Sequence, residues 1–107
     1  MAKQFYTFCP VDDIPDGGRE VFDVDTLSIL LLNVGGEFYA VENLCSHAAY
    51  TLEDGALHEG CQLECPTHGA VFDIRTGEAL SAPAYSPIKT FATRIENGDV
   101  QVELDLE

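Results

Sequence analysis

Residues Leu27–Val34 form a nearly continuous apolar run, broken only by Ser28 and Asn33, that stops at Gly35-Gly36. Eight residues of this composition suit a β-strand buried on both faces. Two glycines accept the positive φ values of a tight type I′ turn, so the run predicts one arm of a hairpin that returns through Glu37–Glu42. The device recurs near the end of the chain, where residues 89–96 and 99–106 flank Asn97-Gly98, the strongest short hairpin signal present. Residues 4–9, followed by Pro10, and residues 20–24 add two strands, separated by the Pro- and Gly-containing turn at 12–18. No window longer than one or two turns carries a helical period. These features predict an all-β fold, an antiparallel β-sandwich or barrel-like scaffold drawn from residues 1–42 and 88–107.

Residues 43–87 differ. Gly55, Gly60, Gly69 and Gly77 punctuate short strand candidates at Gln62–Glu64 and 70–74. This stretch reads as a loop-and-hairpin subdomain inserted into a single domain spanning 1–107. A chain of 107 residues buries roughly 60–70% of its unfolded surface, enough for one core but not for separate cofactor and substrate domains. Nineteen acidic residues against five basic ones give a formal charge of −14. Such a surface is repelled by nucleic acid and by anionic membranes, and it favours a partner protein with basic patches or simply high solubility. No signal peptide and no bilayer-length apolar segment is visible, so a soluble, cytoplasmic protein is expected. Disulfides are disfavoured in that compartment, and four cysteines then point to metal or redox chemistry.

That chemistry centres on Cys45-Ser46-His47 and Cys65-Pro66-Thr67-His68, with 17 residues between His47 and Cys65. Short Cys/His spacings let two ligands on one loop converge on one metal. Two such loops supply two thiolates and two imidazoles, which suits either a tetrahedral zinc ion or a [2Fe–2S] cluster with both thiolates on one iron and both imidazoles on the other. Structural zinc loops favour repeated Cys spacings and His pairs on a helix, whereas here each loop carries one Cys and one His and no helix follows. The second pair continues into Gly69-Ala70-Val71-Phe72-Asp73-Ile74-Arg75-Thr76-Gly77.

The stretch from Cys45 to Gly77 resembles the signature of Rieske iron–sulfur proteins: Cys-x-His, then Cys-Pro-x-His-Gly-x-x-Phe-Asp and a Thr-Gly turn. The resemblance extends to the flanking hairpins and to Ala82-Pro83-Ala84-Tyr85-Ser86-Pro87, at the place of the family's Pro-containing cover loop. It implies a Rieske-type fold and one [2Fe–2S] cluster per chain, with Cys45 and Cys65 on one iron and His47 and His68 on the other. Two ferric ions, two sulfides, two thiolates and two neutral imidazoles sum to zero charge, so adding an electron costs less than in a four-thiolate cluster.

Respiratory and photosynthetic members of the family carry a disulfide bracing the ligand loops; the matching positions here are Tyr50 and Thr67. They also carry Ser and Tyr donors to the cluster and its thiolates, where this chain has Ala70 and Phe72, whose side chains cannot donate. Fewer donors stabilise the reduced cluster less, so a low potential is expected. The chain is in this respect similar to the ferredoxins of bacterial aromatic-ring dioxygenase systems, although Ala48 stands where those usually have Gly. The implied role is one-electron carriage from a flavin-dependent reductase to a terminal oxygenase by a monomer that catalyses no reaction itself. The alternatives are a small Rieske subunit of a nitrite reductase or another redox complex, and a zinc-holding interaction module.

Several residues read as structural. Cys9 suits a small strand hydrophobe. Cys61 shares a strand face with Leu63 and Cys65 and reads as core filler, with a ligand or redox role as its alternative. His58 reads as a surface residue. Phe72 suits packing near the cluster, while Asp73, Arg75 and Thr76 suit a turn in which Arg75 pairs with a carboxylate. Glu53, Asp54, Glu59 and Glu64 are candidates for a docking face or for solvated loop charge. Purified, iron-loaded protein is therefore expected to be red-brown and to give a Rieske-type electron paramagnetic resonance (EPR) signal on reduction; a colourless, zinc-bearing protein would overturn the cluster assignment.

Overall fold

The computed structural model describes residues 3–44, 51–58, 61–66, 69–81 and 86–105. The described residues contain no α-helix; their regular structure is antiparallel β apart from a short 3₁₀ turn at Val11–Asp13. Among the described residues ten strands appear in chain order: β1 (Gln4–Pro10), β2 (Arg19–Val24), β3 (Leu27–Val34), β4 (Glu37–Glu42), β5 (Ala56–His58), β6 (Gln62–Glu64), β7 (Val71–Asp73), β8 (Thr90–Phe91), β9 (Thr93–Glu96) and β10 (Asp99–Leu104). They make three sheets, ordered β1-β10-β9, β2-β3-β4-β8 and β5-β6-β7.

The two hairpin turns form where the sequence requires them. Gly35 and Gly36 have φ of 65° and 92°, and Asn97 and Gly98 have 54° and 82°, positive at both central residues as a type I′ turn demands. The expected strand over 89–96 is divided. Thr90–Phe91 pairs with β4, and Thr93–Glu96 pairs with β10, so the chain passes from one sheet to another at Ala92. The Ala92 carbonyl accepts the Glu103 amide, and the Thr93 hydroxyl donates to the Phe38 carbonyl, which knits the two scaffold sheets at this corner. On the opposite side the Phe8 and Phe22 rings lie 4.8 Å apart, between the edge strands β1 and β2.

The apolar run at Leu27–Val34 is buried continuously from Ile29 to Asn33, and its two faces serve two cores. Ile29 and Leu31 join Cys9, Ile14, Phe38, Ala40, Val100, Val102 and Leu104 between the scaffold sheets. Leu30 and Leu32 point the other way and pack with Val41, Leu52, Leu63, Cys65, Ala70, Phe72, Ile74 and Ile88. The buried polar residue of the run is satisfied: Asn33 Nδ2 donates to the Ile14 carbonyl, and its Oδ1 accepts the Gly36 amide. Cys9 lies in the first core as expected, and burial pushes its thiol pKa up, with Asp13, Glu20 and Asp99 adding to the effect.

Neighbouring leucines on β3 thus hold different parts of the molecule. Leu30→Ala and Leu31→Ala should each cost about 2–5 kcal/mol in urea unfolding. Only Leu30→Ala should also hasten loss of visible absorbance at urea concentrations below the unfolding transition, because only that side chain enters the core shared with Cys65.

Candidate iron–sulfur site

The second ligand loop is a hairpin between β6 and β7. Leu63, in the middle of β6, is fully buried, and Cys65, two residues on, is only 1% exposed. The Cys65 amide donates to the Ala70 carbonyl at 2.6 Å, and the Gly69 amide donates to the Cys65 carbonyl at 3.0 Å, so Cys65 is bonded to both residues at the start of the hairpin's return. Gly69 takes φ of 75°, in the left-handed region that glycine enters without strain. Cys65 is a free thiol at the buried base of this loop. Cys45, His47 and His68, the other expected ligands, lie outside the described residues, as do Tyr50, Glu59, Thr67 and the Ala82 to Tyr85 part of the cover loop.

Cys61, Leu63 and Cys65 all meet one core, as the alternation expects. Cys61 stands at φ of 64°, just outside the strand, and is half-buried against the same core. Its carbonyl accepts the Ile74 amide, fastening the far end of the hairpin. Phe72 is fully buried opposite Leu63, and Ala70 is buried beside it. The wall around Cys65 is therefore apolar, with no side-chain donor from either position. The turn that follows is built as expected: Arg75 Nε and Nη2 donate to the two Asp73 carboxylate oxygens at 3.0 and 2.9 Å. The Arg75 guanidinium holds the Asp73 carboxyl below the ordinary carboxylate range.

The ends of the first ligand loop are fixed by two residues that sequence reasoning missed. Asn43, directly after β4, is 3% exposed. Its Oδ1 accepts the Leu52 amide at 2.9 Å, and its Nδ2 donates to Glu53 Oε1 at 2.9 Å. One side chain thus joins the chain just before Cys45 to the chain just after Tyr50. Arg19, from β2, donates through Nη1 to the Glu53 and Gly55 carbonyls at 3.1 and 2.7 Å. Position 55 packs so closely on the Glu64 backbone carbonyl that a Cβ there would collide with it, which brings the exit of the first loop against the strand leading into the second. An Asn beside the first Cys-x-His pair was a weak available signal for Asn43; Arg19 is 34 residues from Glu53 and offered none.

Two thiolates and two imidazoles match the donor set of a [2Fe–2S] cluster. The one donor among them that is described, Cys65, is an unpaired thiol in an apolar wall, fit for a cluster sulfur ligand. Asn43→Ala leaves the buried Leu52 amide without its acceptor and should cost about 1–3 kcal/mol in urea unfolding. Asn43→Asp keeps that acceptor but opposes the Glu53 carboxylate, and should fall between Asn43→Ala and the parent. Equal stability of all three proteins would show that the tie carries nothing.

Comparison with known proteins agrees with this geometry. The Rieske [2Fe-2S] domain family matches residues 4–92. The 3-phenylpropionate/cinnamic acid dioxygenase ferredoxin subunit of Escherichia coli (strain K12) is 42% identical over 97 residues, 90% of each chain. The ferredoxin of carbazole 1,9a-dioxygenase from Nocardioides aromaticivorans IC177 superposes with a TM-score of 0.86 at 31% identity, covering 92% of this chain and 95% of that one. A ferredoxin solved in a complex of reduced oxygenase and oxidized ferredoxin in carbazole 1,9a-dioxygenase gives 0.83 at 32% identity, covering 91% and 99%. A buried cysteine in the β6–β7 hairpin, apolar Ala70 and Phe72 in the core around it, and likeness along nearly the whole chain converge: this protein belongs to the Rieske [2Fe-2S] domain family and has a Rieske-type [2Fe–2S] cluster as its cofactor.

Proposed function

We propose that this chain is the ferredoxin component of a ring-hydroxylating dioxygenase system, carrying single electrons from a flavin-dependent reductase to a terminal oxygenase. The observation that carries the reading is the extent of the match to a dioxygenase ferredoxin subunit, 42% identical over 90% of both chains. The cluster supplies a one-electron couple. Cys45 and Cys65 hold one iron, and His47 and His68 hold the other. Residues 43–87 act as the cluster-binding subdomain of a single Rieske domain spanning 1–107, with 1–42 and 88–107 as its scaffold. The buried surround of Cys65 excludes water from the thiolate side, and the lack of side-chain donors at Ala70 and Phe72 keeps the reduced state weakly stabilised.

The surface supports brief, charge-steered encounters. Of the five cations, Arg75 is paired with Asp73, Arg19 caps backbone carbonyls, and Arg94 bonds Gln101 and lies over the Phe5 ring. Nineteen carboxylates against these leave a strongly negative field that suits basic patches on the reductase and the oxygenase. Leu44, next in sequence to Cys45, and Leu80, whose amide donates to the Val71 carbonyl of β7, are large apolar side chains left exposed. The protein works as a cytoplasmic monomer in this reading. No helix among the described residues is long and apolar enough to cross a membrane.

Stopped-flow reduction by a flavin reductase, followed by single-turnover oxidation by a ring-hydroxylating oxygenase, tests the proposal. Second-order rate constants for both steps should fall about tenfold as the Debye length shortens from about 30 Å to about 10 Å. A carrier that accepts electrons but delivers none to any ring-hydroxylating oxygenase, or whose rates rise with salt, would contradict it.

A further inference from the structure

Glu64 immediately precedes Cys65, and its side chain is held in place rather than free in solvent. Oε1 lies 2.7 Å from His58 Nε2 on the neighbouring strand β5. Oε2 lies 3.4 Å from the point where a Cβ on Gly69 would sit, so the carboxylate leans against the loop that carries His68 in sequence. The Glu64 side chain is 39% exposed and that of His58 49%, so solvent screens the pair only in part. Among the described residues no Lys or Arg is bonded to this carboxylate. The same carboxylate therefore does two things: it ties β5 to β6, and it brings a formal negative charge to the base of the ligand loop.

We propose that Glu64, anchored by His58, is an electrostatic residue that holds down the reduction potential of the cluster bound by the Cys65 loop. Reduction adds one electron, and a fixed anion beside the site raises the energy of the reduced state relative to the oxidised one. In that reading Ala70 and Phe72 offer the reduced state no side-chain donor, and Glu64 adds an active penalty to it. The inference rests on the ligand assignment given under Proposed function, but it concerns a residue outside the ligand set.

Spectroelectrochemical titration of the cluster-loaded protein at low ionic strength, with EPR on each reduced sample, tests it. Glu64→Gln is isosteric and keeps a partner for His58. It should raise the reduced-to-oxidised ratio at a fixed ambient potential about threefold, which at 59 mV per tenfold for one electron is an upward shift of about 28 mV, with the EPR signature unchanged. Glu64→Asp, which keeps the charge, should restore most of the parent value. Glu96→Gln, at the end of β9 in another sheet, makes the same change in net charge and should shift the ratio by much less. Ala56 faces Glu64 across the β5–β6 ladder and is exposed, so Ala56→Lys should move the ratio in the same direction without altering the residue beside Cys65. A Glu64→Gln shift no larger than that of Glu96→Gln overturns the proposal, as does a null result with Ala56→Lys should Glu64→Gln fail to hold a cluster. A parent protein lacking a Rieske-type signal would instead overturn the ligand assignment.

Discussion

The structure depends on β3 being buried on both faces. A strand of a two-layer scaffold ordinarily has one face for the core and one for water. Here Ile29 and Leu31 fill the interior between the scaffold sheets, while Leu30 and Leu32 form the floor on which Leu52, Leu63, Cys65 and Phe72 pack. The short three-stranded sheet that carries Cys65 has strands of three residues each and would be marginal alone. Its stability is borrowed from the scaffold through that shared floor, and so is the position of the thiol.

Polar ties then fix what apolar packing cannot orient. Hydrophobic burial is non-directional, and it sets how deep Leu52 sits without setting the path of the chain beside it. Asn43 and Arg19 supply direction, because each satisfies specific backbone groups around residues 52–55. The division of labour is consistent: leucines and Phe72 anchor the ligand hairpin, Asn43 and Arg19 align the two loops, and the Asp73–Arg75 pair closes the turn beyond β7. Charge forms an outer layer. Carboxylates far outnumber cations in the sequence, and the fold sets one of the described carboxylates, Glu64, against Gly69 beside the Cys65 loop.

Much of this was legible in the sequence. The all-β class followed from runs and turns whose period and φ requirements admit little else, and β3, β4 and β6 begin and end where residue pattern alone places them. The two Cys/His pairs stood out because Cys-x-His and Cys-x-x-His are local, each lying within four residues, and the cluster type they imply agrees with the family. What failed to show is equally physical. The strand β5 is three residues long, below the length at which alternation can be distinguished from chance. Residues 89–96 read as one strand because period-two alternation does not reveal which sheet each half joins, and the switch at Ala92 is set by hydrogen bonds to Glu103 and Phe38, both distant in sequence. Cys61 packs against the core of Leu63 and Cys65 as alternation expects, but its positive φ was not legible because nothing in the residue type signals it.

The sequence by itself determined the chemistry and the fold class, since both rest on neighbours along the chain: turn glycines, apolar runs and closely spaced ligands. Tertiary structure alone decided how that chemistry is held. That one face of β3 floors the ligand hairpin, that Arg19 caps carbonyls 34 and 36 residues away, and that His58 fixes Glu64 against Gly69 are contacts between segments whose separation in sequence carries no period and no motif. They arise only once the three sheets pack, because packing brings groups distant in sequence within bonding distance.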